Sequence, residues 1–260
     1  MSVNGVARGW LARVACIFVL CAVVLAQGGL DLGAIRTKLE AGDFIGVIPK
    51  LENYLKAKPA DPEAHFLLSR AYYLSGGVVN LGRASDHIKA AFKASSPRLE
   101  YYWQQGLILA AQGKVQLALS NLRVAASGEV RLSSVKDAYL FAMDWGNVAW
   151  RSGDLRQGLE AYRRAAKVDV IQPFPWLNQG IINLSLNEPE RAEPLLTRAV
   201  TLFQESFPKH PGHAEANYWR GRALELLGKY EAARGAYRAA LTLNPRLGVA
   251  KDALESLGSR

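Results

Sequence analysis

A turn residue recurs along this chain at a nearly fixed interval. It is glycine or asparagine each time, at Gly42, Gly76, Gly113, Gly153, Asn187 and Gly228. The intervals are 34, 37, 40, 34 and 41 residues, which is one 34-residue unit with insertions of 3, 6 and 7. Such a period is typical of a solenoid, in which each unit leaves an apolar face that only its neighbours can cover. No run shows the period-two alternation of a long strand, so the sequence predicts an all-α fold.

The clearest copy of the unit covers residues 214–245. Small residues at Gly221 and Ala233 let two helices approach closely, and Tyr237 fills the space beside them. Gly228 ends the first helix, because a residue without a side chain can take the left-handed conformation. The unit is therefore a pair of helices joined by a tight turn.

The spacing in this copy resembles the tetratricopeptide repeat (TPR) family. Consensus positions 8, 10, 15, 17, 20, 24, 27 and 32 are held by Gly221, Ala223, Gly228, Tyr230, Ala233, Tyr237, Ala240 and Pro245. The resemblance implies a right-handed superhelical solenoid of antiparallel helix pairs over residues 28–260. The repeats are expected at about 28–61, 62–98, 99–132, 139–172, 173–213 and 214–247, with a capping helix at 248–257. The residues expected to pack the repeats are Gly106, Ala118, Gly146, Gly180, Ala192, Gly221, Ala233 and Tyr237.

Residues 1–26 form a separate segment. Arg8 and Arg13 precede an unbroken apolar run from Val14 to Ala26, and the segment has no acidic residue. The run has the length of a signal-peptide core and is shorter than the ~20 residues that span a bilayer. We expect either a signal peptide cleaved after Ala26 or an uncleaved membrane anchor. Both place the repeats outside the cytoplasm, in the periplasm or anchored to the cytoplasmic membrane. Lipidation of Cys21 or Cys16 is a weaker alternative.

The charge of the chain indicates what its surface could attract. The net charge is +9 and falls to +7 without the two leader arginines. Basic residues are spread along the repeats and form no long run. For an exported chain this favours acidic lipid, acidic polysaccharide or acidic protein as partners over nucleic acid. Both cysteines lie in the leader, so a cleaved protein would contain no disulfide.

The sequence contains no set of residues that predicts an enzyme, a metal site or a cofactor. It has no Gly-rich phosphate loop, no Gly-x-Ser-x-Gly elbow and no His-Glu-x-x-His motif. His210 and His213 are close in sequence, but no third ligand accompanies them. Asp43 and Asp154 follow turn glycines and are predicted to cap the helices that begin there.

In the TPR family, positions 5, 9 and 12 of the first helix line the inside of the superhelix. The resemblance therefore implies an aromatic and apolar ligand groove, which suits an extended peptide or an amphipathic helix. Its residues would be Phe66, Arg70, Tyr73, Trp103, Leu107, Met143, Asn147, Trp150, Leu177, Ile181, Tyr218 and Arg222, with Ala110, Leu184 and Glu225 beside them.

One TPR subclass is disfavoured by the residues present. Domains that clamp the C-terminal carboxylate of heat-shock chaperones use basic residues where this chain has Met143, Glu215 and Trp219. We expect a non-enzymatic scaffold or assembly factor that binds a protein partner through the groove. An alternative is a polysaccharide-binding or export subunit whose tryptophans stack on sugars. A third hypothesis is the recognition arm of an enzyme complex.

Overall fold

The computed structural model describes residues 29–127 and 134–258. In these ranges the chain forms 13 helices and no strand, so the predicted all-α repeat fold is confirmed. The predicted leader at 1–26 lies outside the described residues. The helices are α1 (Leu32–Glu40), α2 (Phe44–Ala57), α3 (Pro62–Ser75), α4 (Val78–Ala94), α5 (Leu99–Ala111), α6 (Val115–Ser127), α7 (Val135–Arg151), α8 (Leu155–Val168), α9 (Pro173–Ser185), α10 (Pro189–Ser206), α11 (Pro211–Leu226), α12 (Tyr230–Leu243) and α13 (Gly248–Gly258).

The chain divides into two compact units between Ser95 and Ser96. The first unit contains α1 to α4, and α3 packs against α4 within it. The second unit contains α5 to α13. Its helices pack as the successive pairs α5 with α6, α7 with α8, α9 with α10 and α11 with α12. Each pair matches one unit of the sequence period.

The turn residues have the left-handed backbone that the sequence predicted. The backbone angle φ is 58° at Asn187 and between 70° and 91° at Gly42, Gly76, Gly113, Gly153 and Gly228. This conformation costs glycine little and is tolerated by asparagine. Gly77 also has a positive φ, of 84°, within the three-residue insertion of the second repeat. The period in the sequence is therefore a period of helix-ending turns.

Aspartates begin the helices after two of these turns. The Asp43 carboxylate accepts a hydrogen bond of 2.9 Å from the Gly46 N–H, and Asp154 accepts one of 3.0 Å from the Gln157 N–H. Each side chain pairs an amide at the helix start that has no partner within the helix. The predicted capping role of both aspartates is confirmed.

The two helices of each pair in the second unit touch at a glycine. A Cβ atom added to Gly221 would lie 2.4 Å from the Tyr237 ring, and one added to Gly146 would lie 2.5 Å from the Tyr162 ring. The same contact joins Gly106 to Leu122 and Gly180 to Leu196. Ala118, Ala192 and Ala233 on the second helices are fully buried. The close approach leaves no room for any larger residue at these glycines.

The last helix covers the end of the second unit. Leu257 of α13 is fully buried in a cluster with Leu224 and Tyr237 of the preceding pair. Arg234 of α12 donates a hydrogen bond of 2.7 Å to the Leu257 carbonyl, which lies in the last turn of α13. Helix α13 thus buries an apolar surface for which no further pair is present in the described residues.

Replacing Gly221 with alanine should lower the free energy of unfolding by about 1–3 kcal/mol, because the methyl group would overlap a tightly packed ring. Gly235→Ala is the matched control. Gly235 also lies inside a helix, but a Cβ atom there meets nothing within 4 Å. In the control, the free energy of unfolding should rise by about 0.5–1 kcal/mol, because alanine is a better helix former than glycine. Urea denaturation followed by circular dichroism measures both, and equal effects would contradict the close contact.

Candidate functional site

The first helices of the pairs in the second unit carry a row of partly exposed side chains. On α7, Met143, Asn147 and Trp150 are spaced by four and three residues and so share one side of the helix. Helix α9 contacts α11, which extends the row. We define the first-helix face as the side chains of Met143, Asn147, Trp150, Asn178, Leu184, Tyr218 and Arg222.

Four residues expected to line the groove are instead part of the core. The exposed fraction is 1% for Phe66, 5% for Trp103, 2% for Leu177 and 5% for Ile181. The expectation that these four side chains form an accessible lining is corrected. The remaining expected residues are accessible: Asn147 is exposed, and Arg70, Tyr73, Leu107, Met143, Trp150, Tyr218 and Arg222 are half-buried, as are Ala110, Leu184 and Glu225.

Contacts with neighbouring helices explain this burial. The Trp103 indole N–H donates a hydrogen bond of 3.0 Å to Asp144 of α7, and its ring meets Phe141 edge-on at 5.7 Å. Leu177 and Ile181 belong to a core cluster that α10 and α11 complete. A side chain on the correct side of a first helix is therefore still buried when the next pair covers it.

A polar cluster lies at the centre of the first-helix face. The Tyr162 hydroxyl donates a hydrogen bond of 2.7 Å to Asn147 Oδ1, and the Asn178 side chain lies near enough to the same hydroxyl to lower its pKa. Burial raises the pKa of Tyr162 well above its ordinary value, although Asn178 acts in the opposite direction. The hydroxyl is therefore protonated at neutral pH and holds Asn147 in place.

Apolar side chains flank this cluster. Met143 packs against the cluster formed by Leu159, Tyr162 and Ile182. Trp150 packs against the same residues and also against the core around Leu177. Because Met143 and Trp150 stay half-exposed while resting on rigid neighbours, they offer ordered apolar contact area.

Charged side chains interact at the end of the first-helix face that lies on α11. Arg222 Nη1 donates a hydrogen bond of 2.8 Å to Glu225, and the Tyr237 hydroxyl donates another of 2.8 Å to the same oxygen. Burial has the largest single effect and would lower the pKa of Arg222, but the charge of Glu225 together with the interactions with Tyr237 and Tyr218 raises the pKa overall. Arg222 is thus a cation that its own pair already compensates.

The first unit contains a histidine pair. The Nδ1 atoms of His65 and His87 are 2.9 Å apart, and His65 Nε2 lies 3.0 Å from the Pro59 carbonyl. The carbonyl can only accept, so His65 Nε2 carries a hydrogen and the two Nδ1 atoms share one more. The Tyr72 ring stacks on His87 with the ring centroids 5.8 Å apart.

Charged groups on two helices, α2 and α4, face this pair. Burial lowers the pKa of His87, and the charge of His65 lowers it further. Asp86 and Glu52 act to raise this pKa, and Arg83 acts to lower it. The balance keeps His87 neutral to lower pH than an exposed histidine.

The described residues hold no group of three or more histidines, cysteines, aspartates or glutamates placed to bind a metal ion. His210 Nδ1 accepts a hydrogen bond of 3.0 Å from the Gly212 N–H at the start of α11. His213 lies 3.2 Å from the Pro208 carbonyl through Nδ1. None of the helices in the described part of the chain combines the length and the apolar character that a bilayer crossing requires.

A sequence model described as tetratricopeptide repeat matches residues 143–206 and 177–247. Over residues 143–247 the sequence is therefore similar to tetratricopeptide repeats. The matched segments include α8 to α12 and every residue of the first-helix face. No curated protein is significantly similar to the sequence.

Solved structures, one of them described as a TPR protein, have a similar fold. The chain is similar to pilF of Pseudomonas aeruginosa with a TM-score of 0.65 and 15% identity, over 86% of this chain and 95% of that one. It is similar to YrrB with a TM-score of 0.64 and 16% identity, over 79% and 97%. It is also similar to MamA from Desulfovibrio magneticus RS-1, residues 41 to the end, with a TM-score of 0.59 and 13% identity, over 72% of this chain and 96% of that one. At these identities the likeness shows the fold alone.

Sequence reasoning missed two residues that organise the face. Tyr162 occupies the TPR position that Tyr237 holds in the last repeat, where only the space-filling role of the ring was predicted. Its hydroxyl reaches Asn147 on the first helix of the same pair. Asp144, the partner of Trp103, is 41 residues away along the chain, and no pattern in the sequence links the two.

The histidine pair should make the protein less stable in mild acid. Because the folded-state pKa of His87 is lowered, the unfolded chain binds more protons once the pH falls below the ordinary value of 6.5. The stabilisation is present above that pH and is lost as the pH falls through it. Urea denaturation at about pH 7.5 and pH 5.5 measures the loss, which should be smaller in His87→Gln. An equal loss in both proteins would contradict this assignment.

Proposed function

We propose that this TPR chain is a non-enzymatic scaffold that binds an extended segment or a helix of another protein, outside the cytoplasm. The proposal rests on the polar cluster of Asn147, Tyr162 and Asn178, which we call the amide cluster. It lies between the half-exposed side chains of Met143 and Trp150. TPR proteins are generally non-enzymatic interaction scaffolds. The solved structure of YrrB, which shares the fold, is described as having a peptide-binding site.

The amide cluster matches the needs of a peptide main chain. Every peptide unit brings a donor and an acceptor that must be paired when water is removed. Asn147 Oδ1 is already paired with Tyr162, and its amide hydrogens have no partner among the described residues. They are therefore available to a carbonyl of a bound segment. Because Tyr162 fixes Asn147 beforehand, binding would cost little side-chain entropy.

The apolar residues of the face supply contact area for side chains of the partner. Trp150, Met143 and Leu184 are half-buried, so each keeps exposed surface on an ordered base. Aromatic residues in such settings commonly contribute most of the binding energy at an interface. Main-chain pairing at the asparagines and apolar contact beside them are the two parts of peptide recognition.

Action outside the cytoplasm rests on the leader. Arg8, Arg13 and the apolar run from Val14 to Ala26 have the order of a secretion signal or an anchor. The sugar-binding alternative expected tryptophans of the groove to stack on sugar rings. Trp103 is 5% exposed with its ring inside a core cluster, so this ring is not accessible to a sugar.

The peptide-binding proposal predicts site-specific capture in cells. Leu184 would be replaced by a photoreactive benzoylphenylalanine, first in the wild-type chain and then together with Asn147→Ala and Asn178→Ala. Irradiation should yield a protein adduct in the first case and little or none in the second, because the amide donors are gone. Gel electrophoresis and mass spectrometry detect the adduct.

The same photoreactive group at Arg163 provides the control position. Arg163 is exposed on α8, which is a second helix and does not contribute to the first-helix face. Adducts of equal yield at Leu184 and Arg163, or a yield at Leu184 that the asparagine changes leave intact, would refute the proposed face. Circular dichroism of the triple variant checks that its helices are retained.

The proposed location predicts export by the leader at residues 1–26. Alkaline phosphatase fused to the C terminus is active only where its disulfides form, outside the cytoplasm. The full chain fusion should be active in a Gram-negative host, and a fusion that starts at residue 29 should be inactive. Mass spectrometry of the N terminus then distinguishes cleavage after Ala26 from an uncleaved anchor. Activity from neither fusion would show that the segment does not direct export.

A further inference from the structure

A cavity of about 520 Å³ opens beside the first-helix face at the last repeat. It is lined by the start of α9, the first half of α11 and the segment that leads into α13. The residues that decide its chemistry are Phe174, Glu215, Tyr218, Trp219, Asn244 and Leu247. A cavity of this size accepts one large side chain together with part of the main chain that carries it.

The floor of the cavity is a fixed aromatic stack. Phe174 meets Phe203 edge-on with the ring centroids 5.2 Å apart, and it meets His210 edge-on at the same distance. Phe203 is fully buried. His210 is held at the start of α11 by the hydrogen bond from the Gly212 N–H. The floor therefore keeps its shape when the cavity is empty.

Two consecutive aromatic residues of α11 form the wall. The rings of Tyr218 and Trp219 have centroids 5.0 Å apart and planes inclined by 63°. Tyr218 also contacts Tyr237 at 6.0 Å, and Trp219 packs against the core cluster of α9 to α11. Both side chains are half-buried, so each retains accessible ring surface in the cavity.

An acidic residue stands next to these rings. Glu215 is exposed, and its Oε1 lies 3.4 Å from the Trp219 indole nitrogen. Glu215 forms no ion pair with any lysine or arginine of the described residues. No lysine or arginine lines this cavity, and Lys209 lines only a neighbouring shallower one. The cavity is thus locally acidic in a chain whose net charge is +9.

We propose that this cavity holds a lysine or arginine side chain of the protein bound on the first-helix face. Aromatic faces, and that of tryptophan above all, attract a cation through the ring quadrupole. Glu215 adds an opposite charge beside the rings, and Leu247 can cover the aliphatic stem. An acidic side chain would be repelled by Glu215. A neutral apolar one would remove water from that carboxylate without bringing an opposite charge, which is costly.

This inference rests on the proposed function for its biological occupant, but it can be tested without a partner. The probe is N-acetyl-lysine methylamide, added at millimolar concentration to the full chain. The Trp219 indole signal in a proton–nitrogen correlation spectrum reports on binding, and Trp219→Phe assigns that signal. N-acetyl-norleucine methylamide has the same stem without the ammonium group, and N-acetyl-glutamate methylamide carries the opposite charge.

The lysine probe should shift the Trp219 signal in a saturable manner, and the glutamate probe should not. Glu215→Gln should weaken the lysine probe by about 3- to 5-fold, the range expected for a partly exposed ion pair. Glu190→Gln, an exposed acid on α10 outside the cavity, should leave the affinity unchanged.

Three results would overturn the proposal: no shift with the lysine probe, an equal or larger response to norleucine, or an affinity that Glu215→Gln leaves intact. A larger norleucine response would identify an apolar pocket instead. Failure here is separable from failure of the peptide-binding proposal. The crosslinking at Leu184 depends on Asn147 and Asn178, and the probe titration depends on neither.

Discussion

The contact between a glycine on one helix and a large side chain on the next determines how every pair in the second unit is built. At Gly146 and Gly221 the opposing residue is a tyrosine, and at Gly106 and Gly180 it is a leucine. The absence of a Cβ atom lets the two helices approach until a ring lies against the backbone. The tyrosine hydroxyl then reaches past the glycine to the accessible side of the first helix. The hydroxyl pairs with Asn147 in one repeat and with Glu225 in the other. Leucine provides packing at the same position but no polar group, so the polar centres of the face occur only where the packing residue is tyrosine.

Much of this architecture could be predicted from the sequence because the relevant forces are local. A left-handed turn needs glycine or asparagine, and all six predicted turn residues have a positive φ. An acid after the turn can reach the free amides of the next helix, as Asp43 and Asp154 do.

The accessible lining was predicted less well. Position within a repeat gives the side of a helix on which a residue lies, but its exposure depends on the neighbouring pair. Trp103 is on the expected side, yet Phe141 and Asp144 of the following pair cover it. The cavity at the last repeat escaped prediction for a related reason, because its walls include the irregular segments before α11 and α13, where the period is interrupted.

The charge distribution separates the general properties of the surface from those of the candidate site. A net charge of +9 suggests an interaction surface dominated by arginine and lysine. The cation on the first-helix face is nevertheless paired, since Arg222 contacts Glu225 at 2.8 Å. What the face offers is amide groups, aromatic rings and, at its edge, the Glu215 carboxylate, which forms no ion pair with a lysine or arginine of the described residues. Long-range attraction of anions and short-range recognition therefore belong to different parts of the molecule. Added salt screens the first strongly and the hydrogen bonds and apolar contacts of the second much less.

These features divide recognition along the face. Around Asn147 and Asn178 the available groups suit a main chain, which every protein segment presents, so discrimination between partners there would be small. Beside Trp150 and Met143 the contact with a partner would be apolar. It would depend on the size of the partner's side chain more than on its chemical identity. Glu215 next to Tyr218 and Trp219 would provide charge selection, because a negatively charged side chain there would be repelled and a neutral one would remove water from the carboxylate without bringing an opposite charge. Affinity would thus come from the centre of the face and specificity from its end. In both places an aromatic side chain holds the polar group: the Tyr162 hydroxyl donates to Asn147, and the Trp219 indole N–H donates to Glu215.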